Sequence, residues 1–414
     1  MTNTKIACLG GGSLYFPRVL ADLALEEELA GSEVVLYDID ADKAELMAAL
    51  GVRLARDADS GLRVRASAGL DDCLDGAGFV VTSIGGSGAE VTRNVYGSWY
   101  HNADMHIPAK YGIHQIIGDT AGPAGMMMGL RSIPAYLGIS RRMEKRCPRA
   151  ILLNHSNPMA PIMRALHKYS SITSIGICHG VQGGIGAAAK LLGVPAGELE
   201  CRWIGTNHYY WFTGLRHHGN DMLPELVKLT REQEAPEDHA MSAELSAAYG
   251  YRIVYPDDGH IIEFYPFAAR VTDQKSLPYS LAESAQRHGY DASQPLPERE
   301  HASPQLRAKF LVQYGKILDD VKLPERQEDG GPRRGTGHSD RRHGQRTATD
   351  MYPQPGQRQR YSQSALHGGS RSGSGDGFDR RSGPHHGGGS HGPERDSGKA
   401  LRLARACGGC GSQR

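Results

Sequence analysis

The sequence predicts an α/β protein in which a doubly wound parallel sheet is followed by a second, smaller α/β domain. Two observations support this prediction. Strand-like and helix-like segments alternate through roughly the first 325 residues, and a glycine-rich turn directly follows the first strand. A third observation is an abrupt change of composition, which predicts a tail without a packed core. A chain of 414 residues is long enough for two cores, so we predict domains over 1–195 and 196–325 and a tail over 326–414.

The first element, "KIACLGGGSLYFPRVLADLALEEEL", combines a strand, a glycine turn and a helix. Gly10 and Gly12 allow a tight turn and the close approach of a pyrophosphate to the helix N-terminus, and Ser13 completes the predicted cofactor turn. The third glycine of the dinucleotide fingerprint is absent, because Tyr15 stands there. The second strand, "EVVLYDID", ends in Asp38, at the spacing of a ribose-binding acid. Together these residues predict a Rossmann-type domain over 1–195 that binds NAD rather than NADP. The alternative is a plain βα turn in which Asp38 caps a helix.

Four later segments place polar residues after apolar runs, where ligands bind in open α/β sheets. They read "YGIHQIIGDTAGPAG", "ILLNHSNPMA", "IGICHG" and "WIGTNHYYWF". Cys178 and His208 supply a thiolate and an imidazole, a ligand pair suited to a divalent transition metal. Each residue also has a simpler interpretation, because Cys178 could be a small core residue and His208 could satisfy a hydrogen bond.

The motif N-x-x-N-P at Asn154–Pro158 is followed about twenty residues later by G-x-C-H at Gly176–His179. With "GGGS", "GDTAGPAG" and "GTNHYYWF", these motifs resemble glycoside hydrolase family 4 over residues 1 to about 325. The resemblance implies an NAD- and metal-dependent glycosidase on a fold related to lactate and malate dehydrogenases. It departs from the family at "TSIG" before the cysteine, where a basic residue is usual, and in the tail.

The resemblance also implies roles for individual residues. Cys178 and His208 are expected to bind the divalent metal, with Mn²⁺ as the first expectation, in a substrate and metal domain over 196–325. Asn157 and Asp119 are expected to bind the substrate. His179 is expected to assist the leaving group as an acid, and Asp258 in "YPDDGHIIEF" is expected to act as the base. The simpler interpretation of Asp257 and Asp258 is a turn.

The chemistry implied by the resemblance begins with oxidation of the sugar at C3 by NAD⁺, which makes the C2 proton acidic. Deprotonation at C2 and elimination at C1 follow, water adds, and the hydride returns. NAD-dependent enzymes of this family are a recognised exception to the two-carboxylate mechanism. In this scheme Cys178 is a metal ligand, and no oxyanion hole for a nucleophilic cysteine is apparent in the sequence.

The triplet Cys178–Gly180, "CHG", resembles the members of the family that act on uronides. We therefore expect an α-glucuronidase or α-galacturonidase. Arg93 and Arg131 are candidates for a cation that would bind the uronate. The alternatives are a neutral-sugar α-galactosidase or α-glucosidase, an NAD-dependent hydroxy-acid dehydrogenase, and a catalytically inactive chain, which the unusual tail would explain. A dehydrogenase would use an Arg/His/Asp relay without a metal cysteine.

Net charge and composition indicate which class of partner the protein binds. The net charge of +1 favours neither nucleic acid nor membrane, so a small-molecule glycoside or uronide is the expected partner. The sequence shows no signal peptide and no apolar run long enough to span a membrane, and its seven cysteines are irregularly spaced. We therefore expect a cytoplasmic protein with reduced thiols, and a homo-oligomer if the C-terminal region were intact.

The tail over 326–414 holds 20 of the 53 glycines, 15 arginines and a single lysine. Such a segment cannot bury enough apolar surface to form a core, and we expect it to be disordered. The arginine bias is typical of a GC-rich gene translated out of frame, and the alternative is a native flexible tail. The pair Cys407 and Cys410 resembles a metal or redox motif but has little significance in this context.

Overall fold

The computed structural model describes residues 3–85, 99–178, 180–232, 240–254, 258–265 and 303–324. Arg93, His179, Asp257 and the predicted tail over 326–414 lie outside these ranges.

The first domain contains a six-stranded sheet in which every neighbouring pair of strands is parallel. The strands are Lys5–Leu9 (β1), Glu33–Tyr37 (β2), Arg63–Ala66 (β3), Phe79–Thr82 (β4), Ile151–Asn154 (β5) and Ser174–Gly176 (β6). Their order, β3-β2-β1-β4-β5-β6, reverses between β1 and β4, as in the Rossmann arrangement. The prediction of a Rossmann-type parallel sheet is confirmed.

Helices cover both faces of this sheet, because successive side chains of a strand point to opposite sides. Ile6 and Cys8 of β1 belong to one buried core, which includes side chains of the first two helices. Ala7 and Leu9 belong to a second core on the other face. The helices that follow the strands are Phe16–Leu25 (α1), Ala41–Asp57 (α2), Leu70–Leu74 (α3), Trp99–Ala109 (α4), Gly122–Arg146 (α5), Met159–Tyr169 (α6) and Gly180–Leu192 (α7).

The second sheet is antiparallel. Its strands are Leu199–Thr206 (β7), Tyr209–His217 (β8), Asn220–Asp221 (β9) and Ile253–Val254 (β10), and β8 pairs with the other three. Helices Leu223–Glu232 (α8), Ala240–Tyr249 (α9) and Ile261–Phe264 (α10) follow in the chain. Ile185 and Ala188 of α7 share a buried core with Tyr210 and Phe212 of β8. The division between domains at residue 195 stays a prediction. The buried side chains of α7, which lies before that residue, pack with the second sheet.

The last described helix, Pro304–Asp319 (α11), returns to the first domain. Tyr314 and Leu318 are buried against the core formed by α1 and α2. The Tyr314 hydroxyl donates to the Gly12 carbonyl at 2.7 Å, and the guanidinium of Arg307 contacts Asp40 at 2.8 Å. The chain beyond the second sheet therefore supports the glycine turn from outside. Among the described residues, no helix combines the length and the apolar character needed to span a bilayer.

Candidate functional site

The predicted site residues lie in loops that follow the strands of the parallel sheet. The glycine turn follows β1, Ser83 follows β4, Asn157 follows β5 and Cys178 follows β6. Because the carboxyl ends of parallel strands share one edge, these loops meet beside the point where the strand order reverses.

The glycine turn needs glycine for reasons of space. Gly10 adopts a φ of +75°, and a Cβ there would collide with the carbonyl group of Ser83. A Cβ on Gly12 would lie 2.5 Å from the Cβ of Lys43. Without side chains at these two glycines, the turn packs closely against the chain after β4 and against α2. The backbone of the turn lies at the N-terminus of α1, where a ligand can approach it.

Asp38 lies directly beside this turn. Its Oδ2 accepts from the Gly12 amide at 2.9 Å, and its Oδ1 accepts from the Asp40 amide at 2.9 Å. The Ser13 hydroxyl lies 3.0 Å from the Ser83 hydroxyl. A carboxylate at the end of β2, next to a glycine turn, fits the ribose of a dinucleotide. The four predicted cofactor residues therefore lie together in an arrangement that suits the group.

The loop after β5 is built around a buried asparagine. Asn154 Oδ1 accepts from the Tyr136 hydroxyl at 2.6 Å and from the Ser156 amide at 3.0 Å. This network orients the segment that ends in Asn157, whose Nδ2 donates to Asp119 Oδ2 at 2.6 Å. Asn157 and Asp119, both predicted to bind substrate, are therefore in direct contact.

Asp119 is connected to His208 through Thr120. The Thr120 hydroxyl lies 2.6 Å from Asp119 Oδ1 and 2.7 Å from His208 Nδ1. A hydroxyl has one hydrogen, and the carboxylate can only accept, so Thr120 donates to Asp119 and accepts from His208. The hydrogen on Nδ1 leaves the Nε2 lone pair of His208 available to a metal. Asp119 and Thr120 thus determine the tautomer of the predicted ligand.

Cys178 contacts His208, as predicted for two ligands of one metal. Burial acts to raise the pKa of the Cys178 thiol, but the hydrogen bond and the charge of His208 outweigh it and lower that pKa. Burial likewise acts to lower the pKa of His208, but the charge of Asp119 raises it well above its usual value. The charged imidazole stabilises the neighbouring thiolate, which is the form that binds metals. A metal bound at Nε2 would displace the second imidazole proton, so metal binding is coupled to proton release.

His260 adds a further side chain that could bind a metal. Its Nε2 lies 3.9 Å from Asp119 Oδ1, and its ring centroid lies 4.4 Å from that of His208. Asp119, His208 and His260 are buried, and their potential ligand atoms lie within 4.8 Å of one another. Burial acts to raise the pKa of Asp119, but the charges of His208 and His260 bring it well below its usual value. The Cys178 thiolate and the imidazoles of His208 and His260 suit a divalent transition metal, while Asp119 faces Nδ1 of His208.

Two buried polar groups beside this cluster have unused hydrogen-bonding capacity. Among the described residues, Asn207, adjacent to His208, finds no partner for either side-chain polar atom, and Glu263 finds none for Oε1. The other oxygen of Glu263 accepts from the amides of Thr120 and Ala121 at 2.9 and 2.7 Å. Burial, together with the charge of Asp119, raises the pKa of Glu263 to about 7. Buried groups without partners are typical of a site that a polar ligand completes.

Asp258 has different surroundings. Its carboxylate is fully buried and accepts from the Met241 amide at 2.7 Å and from the amide and hydroxyl of Ser242 at 3.1 and 2.7 Å. These donors belong to the first turn of α9, where a carboxylate stabilises a helix. The geometry favours a structural part for Asp258, and its role as the base stays a prediction.

The two arginines predicted for a uronate differ in what the structure describes. Arg131 of α5 forms a two-pronged ion pair with the buried Asp104 of α4, so its charge is already neutralised. Arg93 and the predicted acid His179 lie outside the described residues.

Three residues at the site were missed from the sequence: Thr120, His260 and Glu263. For the last two a signal was present in "DGHIIEF", where a histidine and a glutamate are three residues apart at the start of a helix. Thr120 had no comparable signal, because its role depends on which side chains fold against its hydroxyl.

Curated relatives support the interpretation of the motifs. Over 369 residues the chain is 30% identical to an α-galacturonidase of Thermoanaerobacter italicus, covering 79% of this chain and 77% of that protein. It is 32% identical over 265 residues to an α-galactosidase of Bacillus subtilis, with 64% of this chain and 59% of the relative aligned. The chain thus spans less than two thirds of the length of the second relative.

Solved structures show a similar fold. A 6-phospho-α-glucosidase from gut microorganisms, in complex with NAD and Mn²⁺, has a TM-score of 0.58 at 20% identity, with 78% of this chain and 70% of that chain covered. A 6-phospho-β-glucosidase of Thermotoga maritima with manganese, NAD⁺ and glucose-6-phosphate has a TM-score of 0.55 at 20% identity, with coverages of 80% and 75%.

The model of the "Family 4 glycosyl hydrolase" family matches residues 5–194. On the match to this family and the identity to the Thermoanaerobacter relative over most of both chains, the protein belongs to family 4 of the glycosyl hydrolases.

Proposed function

We propose that this chain hydrolyses α-glycosides of uronic acids with NAD and a divalent metal, and that α-galacturonides are its preferred substrates. The observation that carries the proposal is the meeting of Cys178, His208 and Asp119 at the sheet edge that also bears the glycine turn. A metal ligand pair beside a dinucleotide turn suits redox chemistry on a sugar. It has no function in a hydrolase that works with two carboxylates alone.

When bound, NAD supplies a reversible hydride acceptor for C3 of the sugar, and the metal supplies a Lewis acid for the neighbouring oxygens. Cys178 and the Nε2 atom of His208 hold the metal. Thr120 and Asp119 hold the imidazole in the required tautomer. NAD and the metal must lie close together, and the location of the glycine turn and Cys178 after strands of the same parallel sheet supports this.

Asn157 and Asp119 bind the sugar hydroxyls in this proposal. Asn157 Nδ2 is committed to Asp119, so its Oδ1 is the atom that can accept from a hydroxyl. His179 protonates the leaving oxygen in this proposal, which rests on its position directly after Cys178 in the sequence. Asp258 remains the proposed base, and its buried carboxylate also accepts from the amides of α9.

The uronide preference rests on the "CHG" triplet and on the α-galacturonidase relatives, of which the Thermoanaerobacter protein is one. The ion pair of Arg131 with Asp104 gives no free cation for a uronate at that position. A second candidate is a neutral α-galactosidase, which the 32% identity to the Bacillus subtilis α-galactosidase favours.

The proposed function is tested by activity on p-nitrophenyl α-glycosides and α-uronides with NAD⁺, Mn²⁺ and a thiol reductant. We expect turnover of an α-uronide without net accumulation of NADH, because the hydride taken from C3 is later returned. Turnover of an α-galactoside alone would select the second candidate. Net NADH production with an intact glycosidic bond would instead indicate a hydroxy-acid dehydrogenase.

Hydrolysis in D₂O tests the route. Removal of the C2 proton exposes that carbon to solvent, so the product should carry deuterium at C2, which mass spectrometry and NMR detect. The matched control is substrate recovered after incubation with the protein in D₂O in a parallel mixture that lacks NAD⁺. Hydrolysis with no deuterium at C2 would replace the elimination scheme with direct displacement.

Replacing Asp38 with alanine should weaken NAD⁺ binding by about 1.5 kcal/mol, or roughly tenfold in Kd, the loss of a charge-assisted hydrogen bond to ribose. Asp42→Ala is the control, because the Asp42 carboxylate binds Arg307 near the same helix start. Calorimetric titration with NAD⁺ measures both. Equal affinities of Asp38→Ala and the parent protein would remove Asp38 from the cofactor site.

A further inference from the structure

A second group of potential metal ligands lies on the surface of the antiparallel sheet, away from the glycine turn. It consists of Glu198, His217 and His218, whose ligand atoms all lie within 4.8 Å of one another. Glu198 ends a short 3-10 turn, Ala196–Glu198, immediately before β7. In the register of the sheet Leu199 pairs with His217, so the turn brings Glu198 to the end of β8.

The hairpin between β8 and β9 fixes the second histidine. His217 pairs with Asn220, which leaves His218 and Gly219 as a two-residue turn. Both turn residues have positive φ, +49° and +82°, as in a type I′ turn. Asparagine, aspartate or glycine is most favoured at the first of these positions, and histidine is among the other residues that tolerate a positive φ. In this turn the two imidazole rings lie with centroids 4.1 Å apart.

The distances from the two histidines to Glu198 are close to those between neighbouring ligands of one ion. His217 Nε2 lies 2.9 Å and His218 Nε2 lies 3.2 Å from the same oxygen, Glu198 Oε2. Around an ion with bonds of about 2.1 Å, adjacent ligand atoms lie roughly 3.0–3.4 Å apart in octahedral or tetrahedral geometry. The two distances to Glu198 Oε2 thus lie close to this range, and the ligand atoms of the two histidines lie within 4.8 Å of each other.

The chemistry of the donors selects the class of ion. Two imidazoles and a carboxylate suit Zn²⁺, Ni²⁺, Co²⁺ or Cu²⁺, whereas Ca²⁺ and Mg²⁺ prefer sites built from oxygen. The side chains of His217, Glu198 and His218 are 20%, 46% and 70% exposed, so water can occupy the remaining coordination positions. Without an ion, exposed pairs of this kind contribute little to stability.

We propose that Glu198, His217 and His218 form a divalent transition-metal site that ties the start of β7 to the β8–β9 turn. The site is separate from the proposed catalytic metal, and its role is to hold the outer end of the second sheet. Binding to the folded state alone stabilises that state in proportion to the logarithm of the metal concentration.

The test uses Zn²⁺ alone, in protein with Cys178→Ser and His208→Asn so that the proposed catalytic ligands are removed. His218→Asn deletes one surface ligand and keeps a residue that tolerates positive φ. Asn220→Ser, in the same hairpin, is the matched control. We expect Asn220→Ser to bind about one more equivalent of Zn²⁺ than His218→Asn, and a Zn²⁺-dependent rise in Tm of a few degrees that His218→Asn loses.

Glu198→Gln provides a second variant, because it keeps the size of the side chain and removes its charge. It should lower the affinity for Zn²⁺ by about tenfold or more, with unchanged Tm in chelator. Comparison between variants removes the contribution of His385, His386 and His391, which are present in all of them. Equal stoichiometry and equal Tm shifts in all proteins would overturn the proposal. Because no substrate is used, this outcome is independent of the proposed glycosidase activity.

Discussion

Replacing Cys178 with serine is expected to lower glycosidase kcat/KM by about a hundredfold or more at micromolar Mn²⁺. A hydroxyl is a neutral, weak ligand, whereas the buried thiol has a lowered pKa beside His208 and is the better metal ligand. Millimolar Mn²⁺ should restore part of the activity, because the loss lies in metal affinity. A lost covalent nucleophile could not be rescued in this way.

Cys201→Ser is the matched control, since it makes the same replacement in a half-buried cysteine of β7. Direct titration of Mn²⁺, followed by electron paramagnetic resonance, separates affinity from turnover. The Cys178→Ser protein should bind Mn²⁺ more weakly, and the Cys201→Ser protein should match the parent. Equal Mn²⁺ affinity in both variants would exclude Cys178 as a metal ligand.

Replacing Thr120 with valine should lower metal affinity and kcat/KM by about 10- to 100-fold. Valine keeps the shape of threonine but removes the hydroxyl that accepts from His208 Nδ1 and donates to Asp119. The imidazole then loses the nearer partner of Nδ1 and keeps only Asp119 Oδ1, 3.5 Å away, while the buried Asp119 loses a donor. The expected change therefore reaches the metal through the tautomer of His208, although Thr120 is not itself a ligand.

Thr120→Ser provides the matched control, because serine retains the hydroxyl and removes only a methyl group. It should retain most of the metal affinity. Thermal unfolding in the presence of a chelator tests whether either variant has lost stability independently of the metal. If Thr120→Val and Thr120→Ser bound Mn²⁺ equally well, the proposed relay from Asp119 to His208 would be wrong.

Much of the first domain could be predicted because its signals are local. The turn after β1 requires glycine at Gly10 for its φ and at Gly12 for its packing, and both requirements are visible in the sequence. Asp38 follows β2 directly, so its place beside the turn results from the pairing of neighbouring strands. The parallel order of the sheet follows from alternating strands and helices.

The contact between Cys178 and His208 could also be anticipated, although 30 residues separate them in the chain. Each residue follows an apolar strand, and the resemblance to the family assigned both to one metal. The sequence did not identify the antiparallel pairing of β7 and β8 that presents His208, with a φ of +62°, at the hairpin between them.

The sequence by itself determined the parallel sheet, the glycine turn, the acid at its side and the identity of two proposed metal ligands. These features depend on residue type and on spacing along the chain. Only the tertiary structure decided that Thr120 links Asp119 to His208, that His260 joins them and that Asp258 holds the start of α9. The physical reason is that a buried hydrogen bond requires angstrom-scale placement of side chains from distant segments, and hydrophobic pattern and turn chemistry do not specify such distances.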